Sequence, residues 1–173
     1  MATPIFTEEM TWRGGRFLLE VFDDNDYSKL KDIQQVYGFL FNEKDEIMIL
    51  REGLDKEWQL PGGTPENYDK TWKDTLIREA EEEVDVEIED IKPAGYIRST
   101  ALDKNSSQEA KVGIGLRTVA KITKIKPQTI DPASGVINER KFIPAKDFLK
   151  YFHWGDNGKV QLEMAMKARE RKG

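Results

Sequence analysis

Short apolar stretches separated by polar turn residues predict strands along much of the chain. They occupy residues 15–24, 91–99, 111–125 and 139–145, and residues 34–52 contain two more, joined as a hairpin by the polar turn at 42–45. Residues 57–63, "EWQLPGG", begin as a brief extended segment, which Pro61 and the two glycines that follow it bring to an end. We expect these strands to form a mixed β-sheet.

The best helix signal is "TWKDTLIREAEEEV", residues 71–84. Thr71 followed three residues later by Asp74 resembles a capping box, with aspartate in place of the usual glutamate or glutamine. Two further helices are expected at 145–152 and 158–173, the second ending in cations that suit a helix C-terminus. Because strands and helices alternate, we predict one α/β domain over residues 1–173, a sandwich of helices around the sheet.

Composition narrows the chemistry. The net charge of -5 argues against non-specific binding to nucleic acid or to an anionic membrane. The chain has no cysteine and one histidine, His153, which excludes disulfides, thiolate zinc sites, a cysteine nucleophile and multi-histidine metal sites. A metal site must therefore be built from oxygen, which selects hard ions such as Mg²⁺ or Mn²⁺.

No apolar run approaches the length of a membrane span. The first residues, "MATPIFTEEMTW", lack the apolar core of a signal peptide. We therefore expect a cytoplasmic protein.

The segment "REAEEEVDV", residues 78–86, places five acidic residues in nine positions. Such a run is usually a solvated helix face. With Glu79 set at 0° on a helical wheel, Glu82 lies near about 300° and Glu83 near about 40°, whereas Glu81 lies near about 200°. Glu79, Glu82 and Glu83 therefore share one face and can hold divalent ions, whose charge relieves their repulsion.

The surroundings of this face support a ligand rather than solvent. Ala80, Val84 and Ile77 fall between about 100° and 160° and predict an adjacent apolar stripe, so that the glutamates stand on a ledge beside it. A solvated face would intersperse lysines among the glutamates. The cations Lys70, Lys73 and Arg78 are instead expected mostly N-terminal to this face and off it.

Gly62 and Gly63 precede the helix and allow a close backbone approach to a ligand or a positive φ. A lone pair of glycines is usually only a turn. Its significance here comes from its position just before the acidic helix.

At these residues the chain resembles the Nudix hydrolase family, the MutT-like pyrophosphohydrolases. The family's sequence box ends in Arg-Glu-U-x-Glu-Glu-x-Gly-U, where U is aliphatic, and "LPGG" is its usual lead-in. The matching residues are Arg78, Glu79, Glu82, Glu83 and Val86, with Ala80 as a small stand-in for the first aliphatic residue. The box covers residues 62–86, and the resemblance extends over roughly 34–152, leaving an N-terminal strand and a C-terminal helix as extensions.

The resemblance implies Mg²⁺- or Mn²⁺-dependent hydrolysis of a nucleoside diphosphate linked to another moiety. It implies Glu82 and Glu83 as the main metal ligands, Glu79 as a ligand or a water-positioning base, and the Gly62 carbonyl as a further ligand. Bound ions of this kind bridge phosphate oxygens and lower the pKa of a water, and a carboxylate then takes the proton from the attacking water. Arg78 and Gly63 are assigned structural roles, with Arg78 tying the helix to the loop.

Two positions depart from the box. Asp85 stands where the last glycine is expected, and aspartate tolerates the left-handed backbone better than most residues. The full box begins with a glycine fourteen residues before its arginine and has its first glutamate eight residues before that arginine. Here Lys70 stands at the glutamate position, and Gly63 lies fifteen residues before Arg78, so the loop carries one extra residue. Asp69 or Glu66 is a candidate substitute for the missing glutamate. These departures leave a second hypothesis open, a catalytically weak or inactive domain that binds a nucleotide or a partner.

Several other residues carry weaker hypotheses. Glu139 matches a place from which the family often supplies a loop carboxylate, and is otherwise a solvated glutamate at a strand start. Glu109 is a second candidate for that role, Trp58 could stack on a base or simply pack, and His153 is expected to be structural. Arg51 and Arg98 could contact phosphates or lie free on the surface.

The sequence does not identify the substrate. The proline of ADP-ribose pyrophosphatases and the tyrosine of diadenosine-polyphosphate hydrolases are absent at their usual spacings, since Pro93 and Tyr96 come too early. We expect a small nucleotide-like substrate and no nucleic acid or membrane partner, and a homodimer is left open.

Overall fold

The computed structural model of the protein describes residues 3–12, 14–103 and 112–171. Its strands are β1 Phe6–Trp12, β2 Gly15–Phe22, β3 Ile33–Phe41, β4 Glu46–Arg51, β5 Gly62–Gly63, β6 Val86–Ala101, β7 Val112–Ile125 and β8 Glu139–Pro144. Its α-helices are α1 Trp72–Val84, α2 Phe148–Tyr151 and α3 Gly155–Glu170. Short 3-10 helices lie at Tyr27–Lys29 and Ala145–Asp147.

The strands form one mixed sheet in the order β1-β2-β6-β7-β3-β4-β8, with β5 paired to β3. β3 and β7 run parallel, and the other pairs are antiparallel. Helix α1 packs on one face through a core that includes Leu76, Ala80 and Val84. Helices α2 and α3 cover the other face through Phe148, Phe152 and Ala165. The predicted α/β/α sandwich around a mixed sheet is confirmed.

The two glycines of β5 are held between β3 and β4. Those strands pair at Phe41 and Ile47 beside their turn. Farther along, Gln59 bridges Leu50 of β4, while Gly62 and Gly63 pair with β3. The glycine turn is therefore fixed to the sheet on both sides, facing helix α1.

The structure confirms the hairpin with its turn at 42–45 and the start of the acidic helix after Thr71. The Thr71 hydroxyl accepts from the Asp74 backbone and the Asp74 carboxylate accepts from the Thr71 backbone, which is the predicted capping box. The expected helix at 145–152 is instead a 3-10 turn followed by the single-turn α2. Helix α3 begins at Gly155, earlier than predicted, because tertiary packing overrides the weak helix propensity of "GDNG".

Strand β1 was not predicted. It lies at the edge of the sheet and most of its residues are exposed, so it carries no continuous apolar run. Strand β6 is also longer than the predicted 91–99, since it starts at Val86 and crosses the exposed acidic stretch at 87–90. In the described part of the chain, no helix is long and apolar enough to cross a membrane.

Candidate active site

Two glutamates of the acidic helix, Glu79 and Glu83, are partly buried instead of lying on an exposed face beside an apolar stripe. Thr75, Leu76, Ala80 and Val84 are fully buried, whereas Ile77 is 43% exposed. The expected place of Ile77 in the stripe was therefore wrong. Since Thr75 and Leu76 fall at about 320° and 60° on the wheel, the buried arc spans the positions of the first and third glutamates. The carboxylates of Glu79 and Glu83 therefore point towards the sheet and not along an exposed edge of the helix.

The glycine turn receives these two carboxylates. The Gly62 N–H donates to Oε2 of Glu83 at 2.8 Å. A Cβ on Gly63 would lie 2.4 Å from Oε1 of Glu79, so only glycine leaves room for that carboxylate. Gly62 has φ +145°, and a Cβ there would lie 2.1 Å from the Val36 carbonyl. Both positions therefore need glycine, each for a different steric reason.

Arg78 holds the other side of the acidic face. Its Nη1 donates to Glu79 Oε1 at 2.8 Å and to Glu82 Oε2 at 3.1 Å. Its Nη2 donates to the Thr64 carbonyl at 3.1 Å, and Nε and Nη2 donate to the two oxygens of Asp69 at 3.2 and 2.9 Å. The expectation that Arg78 lies off the glutamate face was wrong, because its long side chain reaches both the helix and the loop. The contacts to Asp69 and Thr64 do tie helix to loop.

Burial and neighbouring charges shift the pKa values of the carboxylates in this site. Burial raises the pKa of Glu83 to about 8; the Gly62 N–H opposes this, and the carboxylates of Glu79 and Asp131 add to it. Burial also raises the pKa of Glu79, against the effect of Arg78. The hydrogen bonds from Arg78 lower the pKa of Asp69 to about 2. The negative charge around Glu83 thus exceeds what the neighbouring cations neutralise.

This donor set fits a hard divalent cation. Among residues 3–12, 14–103 and 112–171, no three acidic side chains already surround a common point. Arg78 instead donates to Glu79 and Glu82, and the Gly62 N–H donates to Glu83. An ion binding here would share Glu79 and Glu82 with Arg78 and supply the positive charge that the partly buried Glu83 lacks.

The two departures from the box have structural solutions. Asp85 adopts the left-handed conformation, φ 49° and ψ 50°, so the predicted survival of the turn is confirmed. Its carboxylate also accepts from the Thr129 N–H at 3.0 Å and the Thr129 hydroxyl at 2.6 Å, which a glycine could not do. Lys70 is exposed, whereas the neighbouring Asp69 is buried against Arg78. Glu66 contributes its backbone N–H to Asp69.

Glu139 lies at the start of β8 and forms an ion pair with Arg51, Nη2 to Oε2, at 2.7 Å. The guanidinium of Arg51 also stacks over the Trp58 ring at 4.5 Å, and Tyr151 meets that ring edge-on at 5.9 Å. Trp58 is therefore packed among protein groups, and the catalytic role predicted for Glu139 stays a prediction.

The remaining candidates lie elsewhere. Arg98 forms an ion pair with Glu20 across β2 and β6 at 2.7 Å. His153 is exposed before α3. Glu109 lies outside the described residues.

Sequence reasoning missed Asp131, which is 5% exposed and acts on Glu79 and Glu83 through its charge. It accepts from the Ala133 N–H at 2.7 Å and from Nδ2 of Asn138 at 3.2 Å. The sequence "DPASG" indicates a turn at this aspartate, but nothing in it places the turn beside the acidic helix.

The chain is similar to known proteins in its family model and in its fold. The family model of the NUDIX domain matches residues 32–161. A mutant of the Bacillus subtilis pyrophosphohydrolase BsRppH superposes with a TM-score of 0.67 at 15% identity, over 94% of this chain and 98% of that one. The NUDIX domain of Shewanella oneidensis NrtR, solved with ADP ribose, gives 0.56 at 18% identity, over 84% and 93%. A C. elegans Ap4A hydrolase gives 0.51 at 15% identity, over 75% and 94%. At such identities the likeness shows the fold, and no curated protein sequence matches the chain significantly.

Proposed function

The chain belongs to the Nudix family of hydrolases, which act on diphosphate bonds, and we propose that it is a Mg²⁺- or Mn²⁺-dependent pyrophosphohydrolase of the cytoplasm. Its substrate would be a nucleoside diphosphate linked to another moiety. The observation that carries this proposal is the convergence of Glu79 and Glu83 on Gly62 and Gly63, where Glu79 is paired with Arg78 and, among the described residues, no cation lowers the raised pKa of Glu83. Two structural neighbours, solved with ADP ribose or described as an Ap4A hydrolase, agree with a substrate of this class.

The metal would be held by Glu79, Glu82 and Glu83, with the Gly62 carbonyl as a further proposed ligand. Such an ion, when bound, neutralises diphosphate charge and lowers the pKa of a water. The protein's own groups set the geometry. The Gly62 N–H orients Glu83, and the Arg78 guanidinium holds Glu79 and Glu82 together while Asp69 anchors it.

A carboxylate must also take the proton from the attacking water. Glu79 and Glu139 are the candidates that the family resemblance provides. Asp131 is a third candidate, since it lies close enough to Glu79 and Glu83 for its charge to act on both. Asp131 is 5% exposed, whereas Glu139 is paired with Arg51.

The test is a screen of nucleoside diphosphate derivatives with Mg²⁺, scored for release of phosphate or nucleotide. Glu83→Gln is expected to lower kcat by about 10²-fold or more, because it removes a charge that holds the ion as the transition state forms. The matched control is Glu81→Gln in the same acidic run. Glu81 is 58% exposed and pairs with Lys126, so its loss should leave kcat nearly unchanged. Equal losses in the two variants would refute the assignment.

A catalytically weak domain that binds a nucleotide or partner is the alternative. Two observations favour this alternative. Lys70 is exposed at the position where the box has a glutamate. Arg78 donates hydrogen bonds to Glu79 and Glu82. If the screen finds nucleotide binding without turnover, this alternative replaces the hydrolase, and Lys70→Glu is the first variant to test for restored activity.

A further inference from the structure

The chain between β7 and β8, residues 126–138, has little apolar packing of its own, and we call it the β7–β8 segment. Most of its residues are exposed, and Ile130 and Ile137 are 61% and 56% exposed. Asp131 and Asn138 are instead 5% and 2% exposed. A segment with few buried apolar contacts has low local stability. The position of Asp131 therefore depends on the polar contacts that hold this segment.

Asp85, which ends helix α1, holds the start of the β7–β8 segment. Its carboxylate accepts from the Thr129 N–H at 3.0 Å and from the Thr129 hydroxyl at 2.6 Å. Its carbonyl accepts from the Lys126 N–H at 2.8 Å. Asp85 is 6% exposed, so these hydrogen bonds are largely shielded from water and are stronger for it. This one residue thus ties the first turn of the segment to the helix.

The end of the segment is held by the same turn of helix α1. Nδ2 of Asn138 donates to the Glu83 carbonyl at 3.1 Å and to Oδ2 of Asp131 at 3.2 Å. One nitrogen therefore bridges the Asp131 carboxylate and the backbone of a candidate metal ligand. Just beyond the segment, Nη1 of Arg140 donates to the Val84 carbonyl. Both ends of the segment thus rest on the helix, with Asp131 between them.

Asp85 stands where the family's box has a glycine. The left-handed turn there, φ 49° and ψ 50°, would be adopted by glycine at lower cost, so the backbone alone does not require aspartate. What aspartate adds is the carboxylate that binds Thr129. At this position the chain therefore has a side-chain anchor in place of an easier backbone conformation.

We propose that Asp85 is a positioning residue, which holds the β7–β8 segment on helix α1 so that Asp131 lies beside Glu79 and Glu83. Its effect on turnover rests on the proposed function, because it takes Asp131 to act on the attacking water. Asp85 works through Thr129 rather than on the substrate. A base displaced slightly from its water loses rate while substrate binding is kept. The expected signature is therefore a change in kcat rather than in KM.

The anchor can be tested without turnover, which separates this inference from the hydrolase assignment. Amide hydrogen exchange is measured by NMR on the full chain in chelator. The N–H groups of Thr129 and Ala133 are the reporters, since they donate to the carboxylates of Asp85 and Asp131. Asp85→Gly should speed their exchange about tenfold or more. Exchange in helix α1 should stay unchanged, because glycine keeps the left-handed turn that ends it.

Two further variants separate the carboxylate from the backbone. Asp85→Asn tolerates the left-handed turn and keeps an oxygen that can accept from Thr129, so it should retain most of the protection. Asp90→Gly is the matched control, because Asp90 also has a left-handed backbone, φ 52°, and its carboxylate pairs with Lys92 at 2.9 Å. This control should leave exchange in the β7–β8 segment unchanged.

Turnover is then measured on the substrate that the screen finds, at a temperature well below the Tm of every variant. Asp85→Gly should lower kcat about tenfold with KM within about twofold, whereas Asp85→Asn should retain most of kcat and Asp90→Gly all of it. Asp131→Asn should itself lower kcat. In that background Asp85→Gly should cost almost nothing further, because two residues that act through one another are not additive.

Unchanged exchange at Thr129 and Ala133 in Asp85→Gly, or equal effects of Asp85→Gly and Asp90→Gly, would overturn the proposal. So would faster exchange with kcat unchanged, or the same loss of kcat in the Asp131→Asn background, since a purely structural role does not depend on Asp131. Faster exchange in Asp85→Gly with no hydrolysis by the native protein would support the anchor and refute the hydrolase assignment alone.

Discussion

Glu83→Gln should make the metal-free protein more stable while it removes activity. Glu83 is partly buried, and desolvation raises its pKa from 4.5 to about 8 in the folded state. An acid whose folded pKa is raised costs stability wherever the unfolded chain is ionised, because folding then requires proton uptake or burial of a charge. Glutamine removes this cost and can still accept from the Gly62 N–H, which lies 2.8 Å from Glu83 Oε2.

The size of the effect follows from the two pKa values. The cost is absent below about pH 4, grows as the pH rises and is complete above about pH 8. A pH of about 7 lies roughly 2.5 units above the unfolded pKa, and each unit is worth about 1.36 kcal/mol, so the cost there is about 3 kcal/mol. For a chain of this length, that corresponds to an increase in Tm of about 6–12 °C. An increase of at least about 4 °C meets the prediction.

Thermal unfolding is measured in chelator and in millimolar Mg²⁺ or Mn²⁺, over a series of pH values from about 4.5 to 8. In chelator, the Tm difference between Glu83→Gln and the native protein should grow with pH. With metal, the native protein should gain stability because the ion binds only the folded state, whereas the variant should gain little. Glu81→Gln loses only an exposed ion pair to Lys126 and should stay within about 0.5 kcal/mol of the native protein. The reasoning is refuted if Glu83→Gln is less stable than the native protein in chelator at about pH 7, or if its metal response is unchanged.

Three other outcomes can be checked with the same assays. Gly63→Ala should lower kcat about tenfold or more, since its Cβ would lie 2.4 Å from Oε1 of Glu79. The control Gly53→Ala, whose Cβ would meet Asp55 Oδ1 at 3.2 Å, should leave kcat almost unchanged, and similar kcat values for both variants would contradict the steric argument. Asp69→Asn should cost about 2 kcal/mol at neutral pH by urea unfolding, because its pKa is lowered to about 2 by Arg78. That contribution is present above about pH 4 and lost as the pH falls through about 2, so an unchanged acid transition in the variant would count against the ion pair. Finally, Mg²⁺ or Mn²⁺ at millimolar concentration should raise the Tm of the native protein, and no shift relative to sodium at matched ionic strength would argue against a metal site.

Much of the fold could be predicted because its signals are local. The capping box at Thr71, the polar turn at 42–45 and the tolerance of Asp85 for a left-handed turn each depend on neighbours within a few residues. Strand β1 was not predicted, because this exposed edge strand is stabilised by pairing with β2 rather than by a hydrophobic pattern of its own.

The candidate site shows the same division. Helical spacing predicted that Glu79, Glu82 and Glu83 share one side, because a rotation of about 100° per residue is a local property, and their joint metal site stays a prediction. It did not show that Glu79 and Glu83 face the glycine pair, since burial is decided by what packs on the helix. Nor did spacing within the helix reveal that Arg78 reaches back to Asp69, or that Asp131 approaches from a loop far along the chain.

The sequence by itself determined which residues could do the chemistry: with no cysteine and one histidine, any cation site would have to be built from oxygen donors, and the sequence predicts that it lies where the glycine pair precedes the acidic helix. Only the tertiary structure decided how those groups are used. In the fold, the glycine segment lies between β3 and β4, and Glu83 accepts a hydrogen bond from the Gly62 N–H. The physical reason is that identity and local geometry are carried by neighbouring residues, whereas desolvation and charge proximity depend on contacts between segments distant in the chain.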